Sequence, residues 1–122
     1  MKEPIIVNES PSPLDPGCIY IFTSLPIAER YFEPWYVDES YYACDSEGVR
    51  LRLLPNEDTG GVTIVEWGDE VANPRLSASF LRAYIGSLSQ KHGWEKIGKS
   101  EEWLHTATNA AMAELALEYA TE

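Results

Sequence analysis

A chain of 122 residues has room for one hydrophobic core, and at this length folding buries roughly two-thirds of the surface the unfolded chain exposes, so neither a disulfide nor a structural metal is required. With 44% hydrophobic and 24% charged residues the composition argues against disorder as the default state. Nine Lys and Arg stand against 20 Asp and Glu, a formal net charge of −11, which disfavours nucleic acid as a direct ligand and draws in basic surfaces.

The opening residues, MKEPIIVNESPSP, lack a charged region followed by a long apolar one, and no stretch approaches the length of a membrane span. Neither export nor membrane insertion is expected, and the cytoplasm is the expected compartment. Residues 1–17 read as an extended, Pro-rich lead-in to a single domain over 1–122, with a short extended segment at Ile5 to Val7 and a loop from Asn8 to Gly17 that holds three prolines and a glycine. Cys18 to Thr23 is β-branched and aromatic on both faces, the pattern of a strand buried on both sides, and is expected centrally in the sheet. Ser24 caps a predicted helix through about Tyr31, and Pro34 stops it.

Tyr41 to Cys44 and Val49 to Leu54 flank Asp45-Ser46-Glu47-Gly48, a hairpin signal in which Asp and Ser supply side-chain bonds and Gly a left-handed position. In the second of these strands Val49, Leu51 and Leu53 alternate with Arg50 and Arg52, so one face is core and the other wet. After a turn at Pro55 to Gly61, Val62 to Trp67 extends the meander. Asn73-Pro74 opens a helix with Leu76, Phe80, Leu81, Tyr84, Ile85 and Leu88 at helical spacing, closed by Gly93. A second helix after Ser100 carries Glu101 and Glu102 in its first turn and a stripe of Leu104, Ala107, Ala111 and Leu115 through the tail. Strands grouped before helices give an α+β class: a mostly antiparallel four- or five-stranded sheet with two C-terminal helices packed on one face.

The chemistry-bearing residues do not assemble into a known catalytic pattern. Cys18 and Cys44 lack CxxC spacing and read as small buried hydrophobes in a reducing compartment. His92 and His105 stand outside HExxH spacing, so no metal and no cofactor is expected. There is no GxSxG elbow, Gly60-Gly61 stands without a phosphate-loop motif, and a Cys44–His105 pair has no local signature behind it. Binding of another protein is the expected role, and catalysis is not.

The run YFEPWYVDESYY, Tyr31 to Tyr42, interleaves six aromatics with Glu33, Asp38 and Glu39. Aromatic anchors beside carboxylates are the ingredients of tight recognition of a basic protein. Trp35 and Tyr36 cannot both point inward on an extended segment, so at least one is a surface anchor. Glu57 and Asp58 occupy a hairpin tip, and Glu66, Asp69 and Glu70 follow the last strand. Together with the aromatic run they are expected to form one negative partner-binding face.

The segment Glu33 to Leu54, EPWYVDESYYACDSEGVRLRLL, resembles the layout of small bacterial immunity proteins of polymorphic and contact-dependent growth inhibition toxin systems. There a proline-aromatic segment leads into a strand, a D-x-x-G hairpin and an alternating strand, followed by an acidic turn and C-terminal helices. The likeness spans about a fifth of the chain, through Pro34-Trp35, Asp45 to Gly48 and Val49 to Leu53. It implies a protein that neutralises a cognate toxin, commonly a basic nuclease domain, by binding it, with no catalytic residue of its own. Contact residues do not carry over, because such families diverge most where they touch their toxins. An acidic adaptor or assembly subunit that binds a basic host protein is the alternative that the same charge pattern supports.

Overall fold

The computed structural model describes residues 1–10, 12, 15–38, 41–68 and 70–120. Five strands, β1 (Ile5–Asn8), β2 (Ile19–Phe22), β3 (Tyr42–Cys44), β4 (Arg50–Asn56) and β5 (Gly61–Glu66), form one antiparallel sheet in the order β2-β1-β3-β4-β5. Helix α1 (Leu25–Tyr31) and a 3-10 helix (Pro34–Asp38) lie between β2 and β3, and α2 (Pro74–His92), α3 (Trp94–Ile97), α4 (Glu101–Thr106) and α5 (Asn109–Glu118) follow the sheet. The α+β class, the antiparallel meander β3-β4-β5 and the packing of the long C-terminal helices on one sheet face agree with the sequence.

Alternation along each strand sorts side chains into two cores, one on each face of the sheet. Ile6, Ile21 and Cys44 meet Phe80, Leu81 and Ile85 of α2 and Met112, Leu115 and Ala116 of α5. On the other face Ile5, Val7, Phe22, Leu51, Leu53 and Ile64 pack with Ala28 of α1 and with Phe32 and Tyr36 around the 3-10 helix. Burying each of the larger side chains contributes roughly 1.5–3 kcal/mol before the entropy of ordering is subtracted.

The in-plane order differs from expectation. The Cys18–Thr23 segment supplies an edge strand, and the lead-in segment Ile5–Asn8 is the one set inside the sheet, with all four residues fully buried. Helices on both sides bury the faces of β2 wherever it lies in the plane, so an apolar pattern on both faces reports coverage and not centrality. Cys18 is exposed, because β2 starts only at Ile19 and Cys18 precedes the covered part of the edge. The C-terminal helix is also broken: Ala107 leaves helical geometry and Thr108 caps α5, its hydroxyl accepting from the Ala111 amide at 3.1 Å.

Two joints position the rest. At the β3–β4 turn the Asp45 carboxylate accepts from the amides of Lys2 (2.8 Å), Glu47 (2.9 Å) and Val49 (2.9 Å), and Gly48 takes φ +84° with its carbonyl bonded to the Asn73 amide at 2.9 Å. That turn therefore ties the chain's first residues, the hairpin and the start of α2 together. At the other joint α1 touches both β2 and β5, the two edge strands of the sheet. Ser24 caps this helix from its hydroxyl, and the Glu29 carboxylate accepts the outward-facing Ile64 amide of β5 at 2.8 Å.

Among the described residues no helix is long and apolar enough to cross a membrane.

Candidate functional site

The Tyr31–Asp38 segment is not extended. Pro34 opens a 3-10 helix whose three residues per turn set neighbours about 120° apart, and this geometry separates Trp35 from Tyr36. Tyr36 turns inward and is 7% exposed, its ring 4.3 Å from Phe32 and 5.9 Å from Tyr41. Trp35 turns outward and is 59% exposed. The expectation that at least one of the pair is a surface group holds, with Trp35 in that place. Tyr36 as a contact anchor is corrected, because its ring is part of the core.

Tyr36 acts on the surface through its hydroxyl, which donates to Glu9 Oε1 at 3.3 Å. The β1–β2 register brings Glu9 there: its amide donates to the Cys18 carbonyl at 2.9 Å, next to Tyr20. Burial first and the Glu9 carboxylate second raise the Tyr20 and Tyr36 phenols well above the ordinary tyrosine range. The Tyr36 phenol keeps its proton and donates it to Glu9. Tyr31, 46% exposed, lies tilted against Tyr20 at 5.6 Å between ring centres and extends this aromatic surface, with the exposed Glu33 two residues on. Nothing in the sequence marks Glu9, which sits in the proline-rich loop and reaches this surface only through strand pairing.

The acidic groups divide between the two ends of the sheet. β4 and β5 run on beyond the end of β3, so the exposed Glu57 and Asp58 at their tip project from the same end as Glu9. Gly61, next to that tip, packs against the Glu29 carbonyl of α1, whose C-terminus leads to Glu33 and Trp35. Glu66 lies at the opposite end, opposite Leu51, and pairs with the Met1 ammonium at 3.2 Å. Glu70 pairs with Arg50 at 2.9 Å, and that guanidinium also lies over the Tyr42 and Trp67 rings at 4.4 and 4.8 Å. The single negative face expected from the sequence is thus corrected: the six-residue β5 separates Glu66 from the Glu57–Asp58 tip, and Glu66 and Glu70 are already partnered. Asp38 closes the 3-10 helix, and its side chain, like Glu39 and Asp69, lies outside the described residues.

Other reactive groups are quiet. Cys44 is fully buried, and burial first and Asp45 second push its thiol up to about 12, while His105 is exposed on α4. His92 ends α2, 5.4 Å from the Tyr119 ring. No group of three or more His, Cys, Asp or Glu among the described residues is placed to hold a metal ion.

At pH 8 a thiol reagent is expected to modify Cys18 at once and Cys44 only after unfolding; fast modification of both would show that Cys44 is reachable. Because the folded thiol holds its proton above the ordinary value of 9.0, the unfolded chain loses that proton first as pH rises. The thiol therefore contributes a fall in stability above about pH 9 and none below it.

No protein-family model matches the sequence, no curated protein matches it, and no solved structure matches the fold.

Proposed function

We propose that this chain is a stoichiometric protein inhibitor of the immunity kind, which binds and neutralises a basic, nuclease-type toxin domain through the end of the sheet that carries Trp35. The observation that carries the reading is Trp35 itself: a large aromatic ring 59% exposed on a short 3-10 helix, two residues after the exposed Glu33 and beside Tyr36, whose hydroxyl bonds Glu9. Large aromatics are rarely left in water, and a ring on a fixed backbone loses little freedom when a partner covers it. The surrounding carboxylates suit the Lys and Arg of a basic domain, and the net charge of −11 steers such a domain towards the chain. The resemblance of the Glu33–Leu54 segment to immunity proteins supports the same reading.

Tagged protein drawn from its own cells should carry a basic partner in equal stoichiometry, and that partner should lose its toxicity in the complex. Trp35→Ala is expected to weaken this complex by about 2 kcal/mol, roughly 30-fold in Kd by titration calorimetry. Glu57→Lys with Asp58→Lys should slow association and reduce its dependence on salt. Capture of no basic partner, or an affinity that neither salt nor Trp35→Ala changes, would remove the proposal.

A further inference from the structure

A second concave surface lies at the opposite end of β1 from Glu9. A cleft of about 600 Å3 opens there to solvent between the first residues of the chain, the Asp45–Gly48 turn and α5. Its floor is apolar, formed by Val49, Pro74, Ala110, Ala113 and Leu117. Its rim is mostly acidic: Glu3, Glu47 and Glu114, together with the buried Asp45, outnumber the Lys2 side chain and the Met1 ammonium, which pairs with Glu66.

These four carboxylates are not equivalent. Asp45 is occupied by three backbone amides, and Glu3 accepts the Leu25 amide at 2.7 Å. Glu47 and Glu114 are exposed, and their carboxylates make no ion pair or hydrogen bond among the described residues. They come from two separate elements, the β3–β4 turn and α5, with the apolar floor lined from the same two sides. An anion is repelled by this rim, and a purely apolar group leaves both carboxylates unanswered. A cation without an apolar neighbour leaves the floor wet.

We propose that the cleft receives a short polypeptide segment in which an Arg or Lys adjoins an apolar side chain, with the apolar group on the Val49–Ala113 floor and the cation at Glu47 and Glu114. The open mouth lets the chain on either side of that pair run out into solvent, and the volume is in the range of sites that enclose a few side chains. This site is separate from the Trp35 surface and does not rest on the reading given to it.

The test is a solution NMR titration of the full chain with acetyl-Leu-Arg-Leu-amide, with acetyl-Leu-Glu-Leu-amide as its charge-reversed counterpart. The Arg peptide should give saturable shifts at Ser46, Val49, Ala110, Ala113 and Leu117, and the Glu peptide should give none. Glu47→Gln with Glu114→Gln should weaken the Arg peptide about fivefold, the scale of two exposed ion pairs. Ala110→Trp, at an exposed position of α5 where the fold is expected to tolerate it, should abolish the shifts, and Trp35→Ala should leave them as they are. Absence of saturable shifts at millimolar peptide, equal response to the Glu peptide, or an unaltered titration in Ala110→Trp overturns the proposal. A chain that takes up the Arg peptide yet captures no basic partner keeps the cleft and loses the Trp35 reading.

Discussion

Gly48→Ala is expected to destabilise the protein by about 4 kcal/mol, read as a lowered urea midpoint with an unchanged slope. The backbone there takes φ +84°, and holding an L side chain in the left-handed region costs roughly 1–2 kcal/mol. The larger part comes from packing. A Cβ at Gly48 would overlap the Asn73 carbonyl and crowd the Pro74 nitrogen, both backbone groups at the start of α2 that have no rotamer by which to step aside. The helix start must shift, and with it the bond from the Asn73 amide to the Gly48 carbonyl. Gly60→Ala is the internal control: φ is +72° there, but nothing lies within 4 Å of the added Cβ, so only the conformational cost of about 1 kcal/mol remains. Equal losses at the two glycines would mean that the contact with α2 yields freely.

Asp45→Ala is expected to cost a similar amount, about 4 kcal/mol, by a different route. The carboxylate is 1% exposed and accepts three backbone amides, two on Oδ1 and one on Oδ2. Each bond to a charged acceptor is worth roughly 1.5–3 kcal/mol, and removal leaves buried donors with no partner. Water reaches some of them, which keeps the loss below the simple sum. Asp45→Asn keeps an oxygen for the Glu47 and Val49 amides but turns an NH2 towards the Lys2 amide, so about half the loss should return. A change below 1 kcal/mol for Asp45→Ala in thermal or urea unfolding would show that the turn holds its shape without the carboxylate.

Legibility in the sequence followed the physics of each signal. The Asp45–Gly48 turn, the Ser24 cap and the Pro74–His92 helix were readable because each is a local matter, decided by a side-chain oxygen, a left-handed glycine or a 3.6-residue period. The exchange of β1 and β2 between interior and edge was not, because hydrophobic pattern records which faces are covered and is silent on which strand lies alongside. Trp35 was visible as a candidate from its acidic, aromatic surroundings, but a 3-10 helix had to assign it the outward place. Glu9 was invisible, since only the pairing of β1 with β2 moves it from a loop to the Tyr20–Tyr36 surface. Glu66 and Glu70 were misplaced for the related reason that proximity in sequence to other acids does not survive a strand that carries them to the far end.

The bond from Glu29 to the Ile64 amide bears on how the molecule behaves in a crowd. An edge strand offers its unused amides and carbonyls to any passing strand, and sheets grow into larger assemblies by that route. At β5 a carboxylate already fills one such position, and the backbone of α1 lies close against Gly61 at the start of the same edge. A newcomer strand at β5 would have to displace a helix whose Ala28 belongs to the core, so this edge resists templating a further strand.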